Sequence, residues 1–208
     1  MITSSPKHQI IFIHGGETFD SDAAYMDFLA RWEYDPCKRF PSWKKWVMDG
    51  LSDRFESFTP DMPCKQKAEY GAWKIWFEKL FPYLGDQKTI LVGHSLGGIF
   101  VAKYLSENTF TKRLAQVHLI APVLDNEGLV GESVGSFVFD PKHLPNLASQ
   151  SDEVHIWSSL DDPVVPRSHA ERYHAAIPGS ELHTFSDRGH FFGQPSFVEL
   201  FLEIGKVV

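Results

Sequence analysis

The sequence predicts a doubly wound α/β sandwich, a mostly parallel sheet of about six strands flanked by helices. Three observations predict it. Short runs that are apolar throughout recur along the 208 residues, the pattern of strands buried on both faces. Segments of helical character separate them, and parallel strands need such crossovers. A composition of 43% hydrophobic and 23% charged residues suits a globular chain with one sizeable core. No repeat, low-complexity tract or linker divides residues 1–208, so a single domain is expected.

The elements follow in order. "QIIFIH" (Gln9 to His14) reads as a buried strand, and Asp20 to Trp32 as a helix. Pro41 to Phe55 is predicted as a second helix, with Pro41 placed to open it. "FESFTPDMP" is a short strand ending at prolines, and Glu69 to Leu84 an amphipathic helix. "TILVG" is the next strand and Leu96 to Glu107 the next helix. "QVHLIAP" and "EVHIWSS" are further strands, Pro166 to Ala176 a helix, "ELHTF" a strand, and Pro195 to Ile204 a closing helix. Right-handed crossovers wind these into the sandwich.

Charge and patterning exclude several functions. A formal net charge of −7 argues against a nucleic-acid or anionic-membrane surface. No apolar run approaches a membrane span, and the N-terminal stretch lacks the features of a signal peptide. Cys37 and Cys64 suit free thiols in a reducing cytoplasm, although one disulfide is also compatible with the sequence. Neither His-Glu-x-x-His nor clustered Cys/His spacing occurs, so no metal and no cofactor is expected.

The chemistry concentrates at strand ends. Gly93-His94-Ser95-Leu96-Gly97 fits Gly-x-Ser-x-Gly, with a strand before it and a helix after it. The turn is sharp, and glycines on both flanks relieve collisions and leave the Ser95 hydroxyl exposed. The Leu96 N–H, at the helix N-terminus, can stabilise an oxyanion. A phosphate loop fails here, because Ile99 and Phe100 follow Gly98 where Lys and Ser/Thr are required. A serine nucleophile needs a base, and the base needs an orienting acid. After the strand "EVHIW" come Asp161 and Asp162; after "ELHTF" comes His190. Asp125 is a third candidate acid, at an earlier strand end. Backbone N–H groups at Gly16 or Glu17, in "HGGETF", could supply a second oxyanion donor. Among the other histidines, His94 is expected to pack, His14 to hold the loop after the first strand, and His118, His155 and His183 to sit satisfied in strands. His169 and His174 are expected to be solvated on a helix.

"IIFIHGG", "GHSLGG", "SSLDDPVVP" and "GHF" together resemble the α/β-hydrolase fold. More narrowly, they resemble the small serine hydrolase family that includes the retinoblastoma-binding serine hydrolase and many bacterial proteins. The resemblance runs along nearly the whole chain. It implies a carboxylesterase-like serine hydrolase that cleaves a small ester, amide or thioester. Ser95 would be the nucleophile, Asp162 the acid and His190 the base, and beside them the Leu96 and Gly16 N–H groups are read as the oxyanion hole. Asp162 is favoured over Asp161 because related hydrolases place the acid directly before a segment like Pro163 to Pro166. The retinoblastoma pocket is recognised through Leu-x-Cys-x-Glu, which neither cysteine's surroundings match, so no such partner is carried over. The rival reading is a binding or regulatory protein on the same fold with an idle triad.

Two expectations concern the surroundings of the site. Trp43 and Trp46, three residues apart, are expected to share one buried helix face. The segment Val123 to Asp152 must supply a crossover and leaves little chain for a helical lid.

Overall fold

The computed structural model describes residues 6–129 and 133–207. Six parallel strands form one sheet: β1 (His8–Ile13), β2 (Phe55–Phe58), β3 (Thr89–His94), β4 (Leu114–Ile120), β5 (Ser151–Ser159) and β6 (Glu181–Phe185). Their order is β2-β1-β3-β4-β5-β6. From β1 the chain first winds outward to β2, then returns past β1 to β3. The loops after β1 and β3 therefore part in opposite directions and open a crevice at the strand C-termini, where open α/β sheets bind ligands.

Period-two alternation explains the two-sided core. On one face lie Ile11, Ile13, Leu91, Val117 and Ile156; on the other lie Ile10, Phe12, Ile90, Val92 and Trp157. The first set packs under α3 (Tyr70–Glu78), α4 (Leu96–Glu107), α5 (Pro145–Ser149) and α6 (Arg167–Ala176). The second packs under α2 (Trp43–Leu51) and α7 (Val198–Ile204). Trp73, Phe77 and Phe100 are fully enclosed, each adding about 1.5–3 kcal/mol through burial.

Several helix boundaries differ from expectation: the first helix runs Asp22–Arg31 rather than Asp20 to Trp32, the second ends at Leu51 rather than Phe55, and the closing helix begins at Val198 rather than Pro195. The helix predicted to open at Pro41 begins at Trp43, because Ser42 caps it: its Oγ accepts the Lys45 N–H at 3.3 Å. The helix predicted over Glu69 to Leu84 ends at Glu78, and a 3₁₀ turn spans Phe81–Tyr83. Pro82 has no N–H to donate to the Glu78 carbonyl four residues back, so the α pattern cannot continue through it. The tryptophan expectation also fails. Trp43 is buried, but Trp46 is 39% exposed and leans on Phe201 of α7, ring centroids 5.3 Å apart.

Between β4 and β5 the described residues form only short 3₁₀ turns and the five-residue α5, in keeping with a crossover that carries no large lid. Residues 130–132 of that segment lie outside the described residues. The helix α1 (Asp22–Arg31), after β1, buries none of its residues and leaves Met26 61% exposed. Cys37 and Cys64 are free and exposed. No helix among the described residues is long and apolar enough to cross a membrane.

Candidate active site

Ser95 stands between β3 and α4 with φ 56° and ψ −121°, in left-handed space that costs a non-glycine residue about 1–3 kcal/mol. Its neighbours hold it there. The Ser95 N–H donates to the Ile120 carbonyl at 2.9 Å, which ties the turn to β4. A Cβ on Gly97 would lie 2.6 Å from the His14 carbonyl oxygen, and one on Gly93 would lie 2.7 Å from the Gly97 carbonyl carbon. Only glycine lets helix and strand approach so closely. The Leu96 N–H opens α4 and is free of the helix's own bonding pattern.

The loop after β1 lies against this turn, since a Cβ on Gly15 would come within 3.1 Å of the Ser95 Cβ. His14 shapes the loop. Its Nδ1–H donates to the Gly15 carbonyl at 2.6 Å, while its Nε2 accepts the Met62 N–H at 2.8 Å. A trans peptide points its C=O and N–H in opposite directions, so the Gly16 N–H faces away from His14. The Glu17 N–H donates to the Lys65 carbonyl at 2.7 Å. Of the two N–H groups that the sequence left open, Glu17's is thus committed elsewhere, and Gly16's has no backbone acceptor among the described residues.

His190 follows β6. Its Nδ1 lies 2.9 Å and 3.1 Å from the two carboxylate oxygens of Asp162. A carboxylate only accepts, so Nδ1 carries a proton, and in the neutral ring Nε2 then keeps its lone pair. Asp162 is nearly enclosed, its side chain 3% exposed, and its Oδ1 also accepts the Val164 and Val165 N–H groups at 2.8 and 3.0 Å. Those bonds fix the carboxylate beneath the ring. Among the described residues the Ser95 hydroxyl makes no hydrogen bond to His190; such bonds commonly close only when substrate binds.

The other candidate acids have different occupations. Asp161 Oδ1 accepts from Ser159 Oγ at 2.5 Å and from the Gly189 N–H at 2.9 Å, so it pins the turn before His190. Asp125 is held by Arg172 at 2.5 Å.

Two histidines depart from their expected roles. His94 does more than pack: its Nε2–H donates to the His190 carbonyl at 2.9 Å, and the rings lie 5.1 Å apart. Trp43 Nε1–H holds the next carbonyl, that of Phe191, at 2.7 Å. His169, expected to be solvated, is fully buried. It accepts the Leu124 N–H at 3.0 Å and donates to the Glu127 carbonyl at 2.6 Å, bracing the loop after β4. Helical spacing alone could not reveal that this face is covered by that loop.

Lys44 is a further residue that sequence reading passed over. Its ammonium lies 5.5 Å from the Trp43 ring centroid, without a hydrogen bond or ion pair to any described residue. Burial, with help from the Lys65 charge, brings its pKa down to about 8. Burial, reinforced by Lys44, likewise holds His94 well below the ordinary histidine value, and burial holds His14 below it. Within the sheet, burial does the same to His118.

A stability prediction follows from these groups. Histidines buried neutral bind fewer protons folded than unfolded. Their contribution is complete above the unfolded value of about 6.5 and is lost as pH falls below it. His94 and His118 should each add a slope of up to about 1.4 kcal/mol per pH unit there. Urea unfolding should therefore give a lower stability at pH about 5 than at about 7.5. Equal midpoints and slopes at the two pH values would contradict neutral burial.

Comparison with known proteins agrees with this architecture. The ydeN gene product of B. subtilis superposes with a TM-score of 0.73 at 18% identity, covering 97% of this chain and 98% of that one. A meta-cleavage product hydrolase from Pseudomonas fluorescens IP01 gives 0.62 at 15% identity, covering 88% and 84%. These likenesses show the α/β-hydrolase fold. In sequence, the chain is 25% identical to serine hydrolase RBBP9 of Rattus norvegicus over 151 residues, 72% of this chain and 77% of that protein. The family described as serine hydrolase matches residues 42–200, which include Ser95, Asp162 and His190, and the chain belongs to that family.

Proposed function

We propose that this serine hydrolase cleaves a small ester, amide or thioester through an acyl-enzyme formed on Ser95. One observation carries the reading: a strained serine at a helix N-terminus shares the crevice at the strand ends with a histidine whose Nδ1 is engaged by a buried carboxylate. Ser95 Oγ attacks the substrate carbonyl as His190 Nε2 takes its proton. Asp162 orients the imidazole and stabilises its charged form. The Leu96 and Gly16 N–H groups receive the negative charge that develops on the carbonyl oxygen. His190 then protonates the leaving group, and water, deprotonated by the same Nε2, releases the acid and restores Ser95. No step calls for a cofactor. Two free, exposed cysteines support a reducing compartment such as the cytoplasm.

The aromatic surroundings bear on substrate size. Phe192, beside His190, meets Phe40 from the loop between α1 and α2 at 4.7 Å between centroids, and both are at least half exposed. They form a low apolar wall, which favours small acyl groups. The test uses a fluorophosphonate probe and a series of p-nitrophenyl esters of increasing chain length. Labelling at Ser95 with activity highest on short chains is the expected result. A chain that neither labels nor turns over any ester, amide or thioester would return the protein to the binding or regulatory reading. A preference for long chains with a rate jump on emulsified lipid would overturn the small-substrate assignment.

A further inference from the structure

Outside the serine site, the sequence repeats a short pattern on two neighbouring strands: Glu153-Val-His155 on β5 and Glu181-Leu-His183 on β6. Residues two apart share a face of a strand, and register sets His155 opposite Glu181. All four side chains therefore project from one face of the sheet, at its β6 edge. This arrangement has neither helical His-x-x-x-His nor clustered cysteine spacing.

The ligating atoms converge. His155 Nδ1 and His183 Nε2 are 3.2 Å apart. Glu181 Oε2 lies 3.8 Å from each of them. A point in the plane of these three atoms lies about 2.1 Å from all of them, which is the Zn–N and Zn–O bonding distance. Two imidazoles and a carboxylate are donors for Zn²⁺ and its Irving–Williams neighbours rather than for Mg²⁺ or Ca²⁺. We propose that His155, His183 and Glu181 bind a divalent transition-metal ion of the Zn²⁺ class.

The surroundings support a built site. His155 is 1% exposed, and its other nitrogen, Nε2, faces Glu153 Oε2 at 3.4 Å. That carboxylate is itself held by Gln116 Nε2 of β4 at 2.7 Å. A carboxylate behind a ligating histidine fixes the tautomer that leaves the opposite nitrogen unprotonated. The Trp157 ring stacks on His183 with centroids 3.9 Å apart and sets its plane. Glu181 has no Lys or Arg partner among the described residues, whereas Glu203 of α7, near His155 Nε2, is neutralised by Lys206 at 2.7 Å. A shallow cavity of about 460 Å³ between β6 and α7 borders His183, and the exposed Glu181 side chain opens the cluster to solvent. Without metal, one imidazole N–H bridges the two rings. On binding, the His183 proton moves from Nε2 to Nδ1, and both facing nitrogens donate lone pairs.

The experiment titrates Zn²⁺ into the EDTA-treated full chain by calorimetry and uses Co²⁺ as a coloured substitute. One ion per chain is expected, with visible Co²⁺ ligand-field bands. His183→Ala and Glu181→Gln should each remove the bands while circular dichroism stays unchanged. Glu153→Gln, which touches no metal, should weaken Zn²⁺ binding about 10–100-fold. Ser95→Ala should bind as the parent does. Absence of saturable binding would overturn the proposal. So would binding that survives both His183→Ala and Glu181→Gln, since the ion would then lie elsewhere, for example at His190.

Discussion

Replacing Ser95 with alanine is expected to abolish fluorophosphonate labelling and to lower kcat on the order of 10⁶-fold, the scale lost when a serine nucleophile is removed. Stability should scarcely change. The hydroxyl makes no hydrogen bond among the described residues, and the left-handed φ is imposed on alanine as it is on serine. Glycine packing at positions 93 and 97 and the bond from the residue 95 N–H to Ile120 remain available to the variant. A surface change without a special partner stays within about 0.5 kcal/mol. The check is paired: labelling with ester kinetics, and a urea melt of the same sample. A folded variant that still labels would remove Ser95 from the mechanism.

Asp162→Asn should cost about 10⁴ in kcat, as loss of the acid does in another serine hydrolase. The cause can be traced atom by atom. The amide oxygen would stay with the Val164 and Val165 N–H groups, which need an acceptor. The amide NH₂ would then face His190 Nδ1, which would have to accept. The ring proton would move to Nε2, leaving no lone pair for the serine proton. Asp161→Asn should be much milder, within about tenfold, because its amide oxygen can still accept from Ser159 and Gly189. Asp125→Asn should spare catalysis, since Asp125 answers to Arg172. Kinetics of the three variants rank the acids, and the reverse ranking of 161 and 162 would reassign the role.

Local rules in the sequence determined the alternation of strands and helices, the strand–Ser95–helix turn, and the order of serine, acid and histidine along the chain. The first two depend on residues within a few positions of one another, and the order of the three groups follows from which strand ends carry them, so the spacing of glycines and apolar runs records it directly. The bounds of α4 and β6 coincide with their expected spans for that reason. Tertiary structure decided the rest. Asp161 and Asp162 are adjacent and chemically identical; only the fold turns one carboxylate under His190 and the other toward Gly189. The choice between the Gly16 and Glu17 N–H groups rests on the Lys65 carbonyl, 48 positions beyond Glu17. His94 reads as a packing residue until the loop 96 positions later brings the His190 carbonyl to it. Trp43 and Trp46 share helical spacing, but α7 covers only part of the face they span. The two Glu-x-His pairs meet because β5 and β6 align at one register, a long-range pairing that spacing along the chain does not encode.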